Sequence, residues 1–174
     1  MRVLLFRGVC DTGGVSSSMR LLGRQLARRG IACEYWFCRG SNRLAEFQEV
    51  APATVGPLSQ LVRRLAAGPA FDVVHMTASD PVAPLVGRLA GRHGARVVVT
   101  ARGALTDVWD RRSCFAHTAI SKEMAAVNQP YTDLQIDVVR NSLDVARYTP
   151  PAEMASGAPI VAFAGRTTSP EKDF

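Results

Sequence analysis

The chain has 174 residues, 47% of them hydrophobic and 21% charged, and a formal net charge of +6. That is ample apolar material for a core without a metal or disulfide staple, and no stretch approaches the roughly 20 apolar residues of a membrane span. The charge is spread along the chain with no aromatics interleaved in a basic patch, which argues against nucleic acid and suits an anionic ligand or an acidic lipid surface. Cys10, Cys33, Cys38 and Cys114 form no C-x-x-C pair and have no histidine at zinc spacing, so reduced thiols in a cytoplasmic protein, and no metal, are expected.

In chain order, Val3-Leu4-Leu5-Phe6 reads as a buried strand. It leads through Gly8 and the pair Gly13-Gly14 into a helix over residues 16–29. Met19, Leu22 and Leu26 face inward, Ser16 or Ser17 is the expected N-cap and Gly30 the stop. Arg20, Arg24 and Arg28 fall four apart and are expected to line a solvated outer stripe, with docking on acidic lipid or substrate as the alternative. Residues 31–37 form the next strand. Residues 39–56 are ambiguous, with a short helix near 42–47 and a strand near Val50. A helix over 57–67 is closed by Gly68-Pro69, and residues 71–76 are the next strand. Asp80 and Pro81 stand in the order of an N-cap and first helical position, opening a helix to His93-Gly94. Further strands are expected at 96–100, 116–120 and 136–139. A weak helix runs up to residue 113, and a short one is capped by Ser121.

Strand alternating with helix is the pattern of a Rossmann-like α/β fold, a doubly wound parallel sheet with right-handed crossovers. The first domain is read as residues 1–145. Residues 146–159, rich in proline and small residues, are read as a linker. Residues 160–174 are read as the first strand and turn of a second domain, cut short there.

A strand, a glycine turn and a helix start bring backbone N–H groups to face an anion. Gly8, Gly13 and Gly14 do not fit G-x-G-x-x-G, and Gly14-Val15 stands where a Walker loop needs its lysine and hydroxyl. What remains is a bare glycine turn with no cation of its own. His75 ends a strand on the side where open α/β sheets bind ligands, or is a satisfied core histidine. His117 begins a strand and reads as structural.

Five segments in order, GGVSSSMRLLGRQLARRG, FDVVHMTASDPVAPLVGRLAGRHGARVVVTARG, HTAISKEM, NSLDVARYTP and IVAFAGRTTSPEK, together resemble the amino-terminal half of retaining glycosyltransferases with the GT-B fold, family 4 in particular. The resemblance implies transfer of a sugar from a nucleotide-sugar donor to a hydroxyl acceptor, with retention and with no cofactor or metal. Fixed cations and N–H dipoles would stabilise the charge on the leaving phosphate. It places the donor diphosphate at Gly13, Gly14, Arg166 and Lys172, and an acceptor-side crevice at His75, Arg102, Gly103, Ser121 and Asn141. Catalytic residues stay unassigned.

Two positions depart from the family pattern. Arg102-Gly103 stands where the family often has His-Gly. An arginine cannot act as a general base at neutral pH, so Arg102 is expected to bind an anionic group. Ser142 replaces the glycine of the family's NG-x-D segment, beside Asn141 and Asp144. The implied partners are a nucleotide-sugar donor and a saccharide, lipid or small-molecule acceptor. Peripheral contact with the inner membrane face goes with them, and nucleic acid does not. The 174 residues alone are expected to be inactive. The alternatives are a nucleotide-sugar epimerase of the same fold and a non-catalytic scaffold or binding subunit. An NAD-type oxidoreductase is disfavoured by the missing fingerprint glycines.

Overall fold

The computed structural model describes residues 1–68, 70–78, 80–105, 109, 114–143 and 145. The expected linker and second-domain strand, with Arg166 and Lys172, lie outside the described residues. Met1–Leu143 forms one compact unit.

The strands are β1 (Arg2–Val9), β2 (Ala32–Arg39), β3 (Ala53–Val55), β4 (Val73–Thr77), β5 (Arg96–Ala101), β6 (Ala116–Ala119) and β7 (Ile136–Val138). The helices between them are α1 (Gly14–Arg28), α2 (Leu44–Gln48), α3 (Leu58–Ala66), α4 (Ala83–Arg92) and α5 (Lys122–Asn128). All pairings are parallel, in the order β3-β2-β1-β4-β5-β6-β7. Chain direction across the sheet reverses between β1 and β4. This is the Rossmann-like doubly wound α/β fold read from the sequence.

Alternate residues divide the core into two layers. Leu4, Phe6, Val74, Met76, Val97 and Val99 pack on the first face with residues of α3, α4 and α5. Val3, Leu5, Tyr35 and Phe37 pack on the second face against Met19, Leu22 and Leu26 of α1 and Phe47 of α2. Right-handed crossovers require this division, because β1 to β3 step one way across the sheet and β4 to β7 the other. The two helices of the second face thus belong to β1, β2 and β3. Over β4, β5 and β6 burial alternates, and Val73, His75, Val98, Ala116 and Thr118 stay half-buried.

The five residues of α2 are far too few for a helix stable by itself. Phe47 holds it, edge-on to Tyr35 at 4.9 Å and to Phe37 at 4.8 Å between ring centroids. Arg20 reaches Glu46 of α2 at 3.1 Å. The basic stripe is therefore partly a tie between helices, and Arg28 is its exposed end.

Three boundaries differ from expectation. Helix α1 starts at Gly14 with Gly13 as N-cap, ahead of Ser16. The strand expected near Val50 lies at Ala53–Val55, where it pairs with Tyr35, Trp36 and Phe37. Helix α4 has Val82 as N-cap, beyond Asp80 and Pro81. The weak helix expected up to residue 113 falls mostly outside the described residues. Its Trp109 is fully buried and its N–H donates to the Tyr131 carbonyl at 2.9 Å. Among the described residues no helix is long and apolar enough to cross a membrane.

Candidate functional site

In an open α/β sheet, ligands bind beyond the carboxyl ends of the strands, where strand order reverses. Here that point lies between β1 and β4. It is a cleft of about 410 Å³ with Arg7, Gly8, Val15, Cys38, Thr77 and Asp80 in its wall. Gly8 lets the Asp80 carboxylate come close to the β1 backbone. Its N–H donates to the Asp80 carboxylate, and a Cβ there would lie 2.7 Å from Asp80 Oδ2. Asp80 also accepts from the Val82 N–H at 3.3 Å. Drawn across the sheet to Gly8, Asp80 leaves α4 to start at Ala83.

The glycine loop contains an ion pair that the sequence reading missed. Arg7 leaves β1 on the second face and meets the Asp11 carboxylate with both ends of its fork, each N–O distance being 2.9 Å. Asp11 Oδ1 accepts further from the Gly13 N–H at 2.9 Å and from the Ser16 hydroxyl at 2.8 Å, and Arg7 also donates to Ser16 Oγ. Burial alone would raise the Asp11 pKa, but the Gly13 N–H, Arg7 and Ser16 outweigh it and hold the carboxyl below its ordinary value. The carboxylate sits at the positive end of α1. The turn does have a cation of its own, and an anion of its own beside it.

Ser16, fully buried, acts inside this cluster and is not the cap of the helix. Gly13 is buried and its N–H is taken by Asp11, whereas Gly14 is exposed and a Cβ there would meet nothing within 4 Å. The outer side of the turn is therefore open to a close neighbour.

Across the sheet, His75 Nε2 lies 2.8 Å from Thr100 Oγ1, and Thr100 Oγ1 lies 2.9 Å from Thr118 Oγ1. Thr118 in turn donates to the Val99 carbonyl at 3.3 Å. A hydroxyl has one proton to give, so the chain runs in one direction. Thr118 spends its proton on Val99 and accepts from Thr100, which accepts from His75 Nε2–H. The Nδ1 of His75 then carries the lone pair, buried and without a hydrogen-bond partner among the described residues. Burial, followed by the nearby Arg102 charge, pushes the His75 pKa down to about 4. His75 is a neutral imidazole at physiological pH.

Arg102 follows β5 and donates from Nη1 to Asn141 Oδ1 at 2.5 Å. Burial and then the Arg7 guanidinium push its pKa down. The structure thus brings Arg102 together with Asn141 and sets His75 and Arg7 within its electrostatic reach.

Gly103 and Ser121 have local roles. The Gly103 carbonyl accepts from Asn128 Nδ2 at 3.1 Å, and Ser121 Oγ caps α5 by accepting from the Met124 N–H at 3.2 Å. Asn128 is wholly buried, accepts from the Leu105 N–H at 2.7 Å, and ties the loop after β5 to α5. An asparagine at a helix end is too common for sequence alone to single it out. His117 lies in the core, where burial lowers its pKa.

Among the described residues no group of three or more His, Cys, Asp or Glu could hold a metal ion. No protein-family model matches the chain, and no match was found among the curated proteins.

Proposed function

We propose that this domain is the acceptor-side half of a retaining glycosyltransferase, one that moves a sugar from a nucleotide-sugar donor to a hydroxyl acceptor. The observation that carries the reading is the crevice at the β1/β4 reversal. Its wall holds Arg7 and Gly8 of β1, Val15 in the first turn of α1 and Thr77 of β4, and the exposed Gly14 opens that helix. Because Arg7 and Asp11 nearly cancel, the turn offers a diphosphate close backbone approach and a helix dipole, but little net charge. The balancing cations must come from elsewhere, and the resemblance puts them at Arg166 and Lys172 of a second domain.

In this reading the protein works in the cytoplasm, in peripheral contact with the inner membrane face if its acceptor is a lipid. The test is a transfer assay on the chain within its full natural polypeptide, using a panel of nucleotide sugars, with the product's anomeric configuration read by NMR. Transfer with retention is the expected result. Sugar isomerisation without transfer would replace the reading with an epimerase. Neither activity, together with tight binding of a partner chain, would make it a scaffold.

A further inference from the structure

Among the expected acceptor-side residues, Arg102 is the one whose chemistry is left open. Charges taken out of water are ordinarily matched by an opposite charge. Arg7 shows how this fold does it, with a carboxylate on both ends of its fork. Arg102 is also partly withdrawn from water, yet among the described residues its one hydrogen bond is to the neutral Asn141 amide oxygen at 2.5 Å. A guanidinium carries five N–H donors in a plane, so most of this fork has no acceptor among the described residues.

Its placement is set by the sheet. Thr77 and Thr100 are register partners on β4 and β5, Arg7 follows Phe6 in the β1 register, and Arg102 lies two residues past Thr100. All four therefore belong to the second face, at the carboxyl ends of adjacent strands. This is the half of that face where β4, β5 and β6 keep half-buried residues. The neighbours on this face are thus the Thr77 and Thr100 hydroxyls, the neutral His75 imidazole and the Arg7 guanidinium, whose own fork is closed by Asp11.

We propose that Arg102, seated beside Asn141, is an oxyanion-binding subsite that selects an acceptor bearing a phosphate or carboxylate group. Two parallel N–H···O bonds from a fork to an oxyanion are among the strongest polar contacts a protein makes. A lysine or histidine at this position could not reproduce that geometry. Assigning the oxyanion to the acceptor rests on the glycosyl-transfer reading; binding of an oxyanion at Arg102 does not.

The test uses the isotope-labelled chain and follows arginine side-chain Nε–Hε resonances by NMR. Inorganic phosphate and acetate are titrated separately at ionic strength fixed with chloride. The Arg102 resonance is expected to saturate while that of Arg28, exposed at the far end of α1, does not. Saturation by phosphate alone assigns a phosphate ester, and saturation by acetate as well admits a carboxylate. Arg102→Gln is expected to weaken phosphate binding by about tenfold or more, as loss of a charge-assisted contact does. Arg28→Gln, with the same change in net charge, should alter it by less than about twofold. Arg102 moving in step with Arg28 and never saturating would mean screening of the overall positive charge, and would overturn the subsite. The wild-type titration decides this even if Arg102→Gln does not fold. Saturation of Arg102 by UDP or GDP at lower concentration than phosphate would overturn the acceptor assignment, whatever the outcome of the transfer assay.

Discussion

Replacing Asp11 with asparagine keeps the shape of the side chain and removes the charge that ties β1 to the start of α1. The carboxylate is 38% exposed and the Arg7 side chain 16%. Breaking a fully buried pair costs about 3–5 kcal/mol, and breaking an exposed one about 0–1 kcal/mol. A half-exposed bidentate pair falls between, and the amide oxygen of the variant can still accept from the Gly13 N–H, so Asp11→Asn should cost about 1–2 kcal/mol. Asp11→Ala, which also strips acceptors from Gly13 and Ser16, should cost about 1 kcal/mol more. In a urea titration at pH 7 the asparagine variant's midpoint should fall by about 0.5–1 M, from slopes of about 1–3 kcal/mol per molar.

The sign of the pH dependence follows from the Asp11 pKa, which folding depresses below its ordinary 3.8. The unfolded chain takes up the proton first in acid, so the stabilisation is present in full above the ordinary value. It is lost as pH falls through the lower folded value. The gap between wild type and Asp11→Asn should therefore begin to close below pH 3.8. Equal stability at pH 7, or a gap of constant size down to acid unfolding, would refute the ion-pair account.

Two further outcomes follow from the packing. His75 is ordinarily a 6.5 group and is held at about 4 in the fold. Wild-type stability should drop as pH falls between those values, because the unfolded chain binds a proton that the native one refuses. The drop is at most about 3 kcal/mol. His75→Gln, which can still donate to Thr100, should flatten urea midpoints over that window, leaving the smaller slope from His117; parallel curves would show that His75 is not the group responsible. Gly23→Ala sets helix propensity against packing. Alanine gains about 1 kcal/mol in a helix, but its Cβ would lie 1.8 Å from Tyr35 Oη and 2.6 Å from Cζ. That ring is pinned by Phe47 and by its bond to the Arg20 carbonyl at 3.2 Å. Overpacking and a lost hydrogen bond, together about 2–4 kcal/mol, should win, lowering Tm by several degrees. A Tm at or above wild type would mean that Tyr35 yields freely.

The sheet was legible in the sequence because its strands are buried on both faces or on one, and runs such as Val97-Val98-Val99 have few other uses. What escaped the sequence reading was decided between segments distant in the chain. Ser16 and Asp80 each looked like an N-cap by local chemistry. Ser16 bonds to Asp11 inside a buried cluster, and Asp80 is held by the Gly8 N–H from the neighbouring strand. Local preference lost to a tertiary partner at Ser16, whereas Asp80 keeps a local bond from the Val82 N–H beside its tertiary one. Arg7 did leave a signal, a cation inside an apolar strand four residues before an aspartate, although a Walker loop carries its lysine after the glycines. Residues 39–56 were legible only in part: the short helix expected near 42–47 is α2, whereas the short β3 has no period of its own and lies past Val50. Of the expected site residues, Arg102 is hydrogen-bonded to Asn141 and lies within electrostatic reach of His75, whereas Gly103 and Ser121 make local bonds to Asn128 and Met124.

The central claim is that a nucleotide-sugar diphosphate is received at the glycine turn between β1 and β4. Its most direct test is an amide NMR titration of the 174-residue chain with UDP- and GDP-sugars. Weak, saturable shifts should centre on Arg7, Gly8, Gly13 and Gly14, with no sugar transfer by the chain alone. Micromolar affinity would contradict the half-site account. So would shifts centred on the opposite end of the sheet, around Arg2, Cys33 and Phe71, with the glycine turn unmoved.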